Sequence, residues 1–163
     1  MVWYGDGTRV SIQNQGHGRL SGGLVNPQED AEYRLRLAKE HLKEGEKLFE
    51  LSFWRASGGS AQLSVENSAK AVIAIFTAPP KTHDLKAELL DLKENIEPVK
   101  RKELERLADY AEKLGLKEHI LTDYGDELIY KTPWEIYDEN RARRALEIAK
   151  KALEIASSFV KSI

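Results

Sequence analysis

Ser60-Ala61-Gln62-Leu63-Ser64-Val65-Glu66-Asn67-Ser68-Ala69-Lys70-Ala71-Val72-Ile73-Ala74-Ile75-Phe76 is the stretch whose reading decides the fold. Ala61, Val65, Ser68, Ala69, Val72, Ile73 and Phe76 recur at three- and four-residue steps, which is the spacing of one helix face. Leu63, Ala74 and Ile75 widen that face until little of the helix is left for solvent, so this element is expected at the centre of a helical domain. Pro79-Pro80 ends it, because proline cannot continue the hydrogen-bond ladder. Ser57-Gly58-Gly59, just ahead of it, reads as the break that separates it from the helix before.

Working outward, Asn26-Pro27-Gln28-Glu29 is a helix start: Asn26 can cap, Pro27 suits the first position, and Glu29 completes a capping box. Ala31, Leu35, Ala38, Leu42, Gly45 and Phe49 then mark the inner face of a first helix. Beyond the double proline, a third helix is expected from about Asp84 to Asn95 with Leu85, Leu89 and Leu92 inward, and Thr82 or Asp84 as its cap. Pro98 opens a fourth, carrying Leu104, Leu107, Ala108 and Ala111, that ends at Gly115. Residues 116–132 read as a long loop. Pro133-Trp134-Glu135 leads to a last helix from near Asp138, with Ala142, Ala145, Leu146, Ala149, Ala152, Leu153, Ala156, Val160 and Ile163 in series. Ile148, Ile155 and Phe159 form a second stripe beside it. A stripe that wide exceeds the needs of one intramolecular neighbour and points to a homodimer through the last helix. The expected architecture over residues 26–163 is therefore all-α, an up-and-down bundle of about five helices.

Residues 1–25 differ in character, holding six of the eleven glycines. Val2-Trp3-Tyr4 and Arg9-Val10-Ser11-Ile12 flank Gly5-Asp6-Gly7-Thr8, the pattern of a small β-hairpin on a Gly-rich turn. Such a hairpin is marginal alone and must pack on the bundle or pair with another copy. The chain has no cysteine, which excludes disulfides and thiolate chemistry and makes a reducing, cytoplasmic interior the expected compartment. The opening residues lack the charged head and apolar run of a signal peptide, and the longest apolar run, Ala71 to Phe76, is too short to cross a membrane. A net charge of -2 gives no global pull toward nucleic acid or membrane. The bias toward Glu, Lys, Leu and Ala, with one Met and no Cys, is the bias of thermophile proteins.

Chemistry-bearing residues are few. Glu66 and Lys70 stand four apart on the apolar second helix with Asn67 beside them, an arrangement able to hold a ligand's phosphate or ribose. The structural reading of the same pair is a solvated helix edge worth a few tenths of a kcal/mol. His83, in Pro80-Lys81-Thr82-His83-Asp84-Leu85, is either an acid, base or polar anchor, or a ring that ties two segments together. Arg141, Arg143 and Arg144, and separately Lys100, Arg101 and Lys102, can meet phosphate or RNA, or simply line solvated helix faces. His17, His41, His83 and His119 are scattered, so no helix presents two imidazoles to a metal. No phosphate-cradling glycine loop and no serine nucleophile motif is present, so no cofactor is expected.

Read in order, Glu66-x-x-x-Lys70-Ala71, the link Pro80-Lys81-Thr82-His83-Asp84-Leu85, Thr122-Asp123-Tyr124-Gly125-Asp126, and Pro133-x-Glu135-x-Tyr137 before an Ala-rich helix resemble HEPN domains over roughly residues 30–160. The resemblance implies a helical bundle, commonly a homodimer, with a nucleotide- or RNA-related role, often beside a minimal nucleotidyltransferase in a toxin–antitoxin pair. It also implies, for ribonuclease members, an Arg and then a His on the last helix with four to six residues between them. Arg141, Arg143 and Arg144 have no histidine after them, which argues against that enzyme. Arg34 and Arg36 precede His41 at the right count but on the first helix, a match that chance supplies. Asp123 stands where the family often has Arg.

Three functions are open on these grounds. The first is a non-catalytic homodimer that binds a nucleotide or a nucleotidyltransferase partner through Glu66, Asn67, Lys70, His83 and Tyr124. The second is a divergent ribonuclease using Arg141 or Arg144 with His83 or His119. The third is an oligomerisation module whose hairpin swaps between copies.

Overall fold

Asn26 opens the bundle as its side chain allows: Oδ1 accepts the backbone N–H groups of Gln28 and Glu29, and Pro27 takes the first helical position. The reciprocal capping box lies elsewhere, between Thr132 and Glu135. The computed structural model describes residues 26–162, so the expected hairpin in residues 1–25 lies outside the described residues. The first helix, α1, is Pro27–Glu50 and buries Ala31, Leu35, Ala38 and Gly45.

α1 stops well before the glycines that were expected to end it. Leu51, Ser52 and Phe53 make the turn, with Ser52 in the left-handed region at φ 61°. The second helix, α2, is Trp54–Ala74 and runs straight through Ser57-Gly58-Gly59. Gly45 and Gly58 serve close approach instead. A Cβ on Gly45 would meet Leu146 Cδ2 at 3.0 Å and the Ser57 carbonyl at 3.3 Å. With the two helices this near, Ser57 Oγ donates to the Gly45 carbonyl and Ser64 Oγ to the Ala38 carbonyl, each at 2.8 Å. From Ser60 to Ala74 every residue but Leu63 is buried, so the reading of this helix as the central one holds.

After the double proline, Thr82 Oγ1 accepts the Asp84 N–H and shapes the turn; neither residue caps the helix that follows. That helix is shorter than expected: α3 is Lys86–Asp91, continued by a tighter 3-10 turn, Leu92–Asn95, with Leu85, Leu89 and Leu92 buried. Pro98 starts a second 3-10 turn, Pro98–Lys100, which feeds α4, Arg101–Lys113. Residues 116–132 are not all loop. α5, Leu116–Asp123, occupies half of them. Its buried residues are Glu118 and Thr122 while Leu116 and Ile120 face out, so it has no apolar inward stripe for periodicity to register. A single antiparallel bridge, Asp126 to Lys131, closes the next turn, and α6 is one turn, Pro133–Ile136.

The last helix, α7, is Glu139–Lys161, capped by Asp138 Oδ1 on the Arg141 N–H at 2.8 Å. It packs against α1, α2 and α4 together. Ile155 and Phe159, part of the supposed surplus stripe, are buried in that packing, and Ile148 and Leu153 rest against it. The width that pointed to a dimer through α7 is thus used inside the chain, where each large side chain contributes about 1.5–3 kcal/mol. Among the described residues the architecture is all-helical, with α1, α2 and α7 as its core and no helix long and apolar enough to cross a membrane.

Candidate functional site

Two polar clusters interrupt this apolar bundle, and α5 touches both. The first is built on the middle of α2. Its four-residue spacing sets Glu66 and Lys70 on one side, and Lys70 Nζ donates to Glu66 Oε1 at 2.7 Å. The link after the double proline brings His83 over them, with Nδ1 2.6 Å from Glu66 Oε2. Gln62 Nε2, one turn earlier, donates to the same oxygen at 3.2 Å. The pair is not the solvated edge that spacing alone permits: the Glu66 and Lys70 side chains are 9% and 11% exposed.

Burial pushes the Glu66 carboxyl up, but the hydrogen bonds from Lys70, His83 and Gln62 and the Lys70 charge outweigh it, and its pKa lies below the ordinary value. Glu66 is therefore an acceptor only, and His83 must place its proton on Nδ1. Nε2 of His83 remains for a ligand or a proton. One face of the ring stacks on His119 of α5, with centroids 4.2 Å apart and planes 21° apart. His83 and His119 are 36% and 29% exposed, so the cluster meets solvent through its two imidazoles. Asp123 Oδ2 lies 3.6 Å from His119 Nε2.

The second cluster centres on Glu118, the residue before His119. The Tyr137 hydroxyl donates to Glu118 Oε1, and Arg141 holds the carboxylate bidentately, Nε to Oε1 at 3.1 Å and Nη2 to Oε2 at 3.0 Å. The Arg141 guanidinium also lies 5.0 Å from the centre of the Tyr137 ring. Burial first, and then the bond to Glu118, raise the Tyr137 phenol far above its ordinary value. The Glu118 bonds hold Arg141 firmly as a cation.

The structure thus brings together Glu66, Lys70 and His83 of the expected set. Asn67 is buried beside them, but its Nδ2 donates to the Leu63 carbonyl. Tyr124 is elsewhere, exposed on the wall of an apolar cleft of about 640 Å³ with Leu116, Ile120 and Leu121. Arg141 is tied to Glu118, and Arg144 is exposed on the outer side of α7. Sequence reading named Arg141 and His119 singly but missed the His83–His119 stack and the Glu118 group that Arg141 joins. Their members lie 36, 19 and 23 positions apart, beyond any helical spacing. Among the described residues no group of three or more His, Asp or Glu side chains is arranged to hold a metal ion.

Comparison with known proteins follows the fold. The chain resembles the crystal structure of TT1696 from Thermus thermophilus, with a TM-score of 0.61 and 21% identity, over 79% of this chain and 97% of that one. At that identity the likeness establishes the fold alone. A search of curated proteins finds no match. The HEPN domain family model matches residues 31–159, from the first buried residue of α1 to near the end of α7. The chain therefore belongs to the HEPN domain family.

Proposed function

We propose that this HEPN-domain chain is a non-catalytic homodimer that binds a nucleotide or a nucleotidyltransferase partner, as in a toxin–antitoxin pair. The observation that carries the reading is the Glu66–Lys70–His83 cluster. A buried ion pair is a poor source of stability, because desolvating both charges offsets most of their attraction. Here one is kept on the most buried helix and opened to solvent through His83 and His119. Perturbed, partly exposed groups of this kind mark binding sites. His83 Nε2 and the His119 edge are the reachable hydrogen-bonding atoms, and Lys70 supplies positive charge behind them. The homodimer needs an apolar face other than that of α7. The exposed Leu116 and Ile120 of α5, with Tyr124 just past its end, supply one.

A panel of nucleotides in a thermal-shift assay at millimolar concentration tests the reading, with solution mass measured alongside. A ligand at a hundred times its Kd stabilises by about 2.7 kcal/mol, which is readily seen. His83→Ala should remove the shift. A panel with no stabilising nucleotide, or a shift that His83→Ala leaves intact, overturns it.

The stacked imidazoles favour one second reading, a divergent ribonuclease in which His83 and His119 move protons. Arg141 is committed to Glu118, so phosphate charge would fall to Arg144 or Lys70. RNA cleavage that survives both His83→Ala and His119→Ala removes this assignment.

A further inference from the structure

α5 lies on the bundle with its polar side down. Glu118 and Thr122 are its buried residues. Polar contacts hold that side: Glu118 is bound by Tyr137 and Arg141, and the Thr122 carbonyl by Arg55 Nη1 at 3.0 Å. Leu116 and Ile120 stand about 200° round the helix from these two residues, and both are exposed, as is Tyr124 just past the helix end. A surface helix ordinarily does the reverse and buries its apolar stripe. An apolar stripe turned outward marks contact with another molecule.

The outward stripe walls the apolar cleft of about 640 Å³, and Asp126 and Glu127 line it beyond the end of α5. Beside the cleft stands a knob. The turn that carries it is pinned by paired backbone bonds between Asp126 and Lys131, at 2.8 and 3.0 Å, and by Asp126 Oδ1, which accepts the Leu128 N–H at 3.1 Å. The tip so held presents Leu128, 92% exposed, and Ile129, also exposed. A pinned tip has little freedom left to lose on docking. Cleft and knob adjoin on one segment, 116–129, so a single surface carries both halves of a contact. That is the condition for an isologous interface, in which each copy gives what the other receives. The charges fit the same symmetry. Lys117 lines the cleft near the start of α5, about 10 Å along the axis from Tyr124, with the acidic pair past the other end. Two copies related by a two-fold axis across α5 run antiparallel, which sets each lysine against the acidic end of the other copy.

We infer that the occupant of the α5 cleft is a second copy of this chain, with Leu128 and Ile129 of each copy seated against Ile120 of the other, and Lys117 facing the partner's Glu127. The inference rests on the homodimer of the proposed function and names its interface.

Light scattering on the full chain over a range of concentrations tests it. Expected is a dimer whose dissociation constant rises at least about tenfold with Leu128→Asp, at a side chain too exposed for the fold to depend on it. Lys117→Glu and Glu127→Lys should each weaken the dimer, because each sets two like-charge pairs across the axis. Mixed in equal amounts, these two variants should form a heterodimer about as tight as the parent, since both contacts then join opposite charges. A contact within one chain gives no such rescue. A dimer indifferent to Leu128→Asp, or charge variants that fail to rescue each other, overturns this interface and leaves the homodimer to another face. A monomeric parent, whose cleft then falls to a different protein or to residues 1–25, overturns the interface and the homodimer together. Nucleotide binding through His83 keeps its own thermal-shift test in either case.

Discussion

The Tyr137 ring fills the space that a side chain at Gly58 would need: a Cβ there would overlap ring atom Cε1 and lie 2.9 Å from Cδ1. Gly58 sits inside α2, where glycine costs about 1 kcal/mol relative to alanine. The ring cannot simply swing away, because its hydroxyl is bound to Glu118 and Arg141 lies against its face. Gly58→Ala should therefore destabilise the protein by about 1–3 kcal/mol despite the better helix former. Gly59, its neighbour, has only Thr122 Cβ at 3.9 Å. Gly59→Ala should instead stabilise by up to about 1 kcal/mol. Urea denaturation of the two variants checks the contrast.

The Glu66 carboxyl, held below its ordinary value of 4.5, makes stability depend on acid pH. A group depressed in the folded state contributes stability that is present above its unfolded value and is lost as pH falls through the folded one. Glu66→Gln should be less stable than the parent at neutral pH by roughly 1–3 kcal/mol. The gap should close as pH falls below that ordinary value. A gap that stays constant over that fall contradicts the ion-pair account.

Tyr137 works in the other direction. Its phenol is raised from the ordinary 10.0, so the stability it confers is full below that value and is lost as pH rises beyond it. In an ultraviolet titration, the parent minus Tyr137→Phe difference should show no phenolate while the folded protein passes through about pH 10 to 11. Glu118→Gln removes a charge that opposes ionisation, and Tyr137 should then titrate at lower pH.

Tyr130 sits in the left-handed region at φ 55°, with its side chain 92% exposed. The conformation costs an L-residue about 1 kcal/mol or somewhat more, and glycine nothing. Tyr130→Gly should raise stability by about 1 kcal/mol, a rise of about 3 °C in melting temperature. An unchanged or lower melting temperature would show that the ring contributes more than its exposure allows.

Much of the bundle is legible because its signals are local. Asn26 and Asp138 cap where capping residues stand, and α2, α4 and α7 bury most of the residues their spacing selects, although Phe76, expected on the inner face of the second helix, lies past its end and is exposed. The boundary between α1 and α2 is not legible, because Leu51-Ser52-Phe53 carries neither glycine nor proline while the helix interior carries Gly58-Gly59. Glycine there marks contact with Tyr137, a residue 79 positions away. The site divides the same way. Glu66 and Lys70 show themselves by helical spacing and His83 by its link. Glu118, His119 and Arg55 acquire their partners only when α5 and α6 fold back onto α2.

The serine bonds between α1 and α2 bear on how the chain is made. They join residues 12 and 26 positions apart, across a turn of three residues, so closing that hairpin costs little chain entropy. α7, which covers the same pair, begins at Glu139. On the ribosome, where domains emerge at about 5–20 residues per second, the hairpin can close seconds before its last apolar cover is synthesised. During that interval the face of α1 and α2 that α7 covers is left to water, so the order in which the helices emerge sets how long that apolar surface stays unburied.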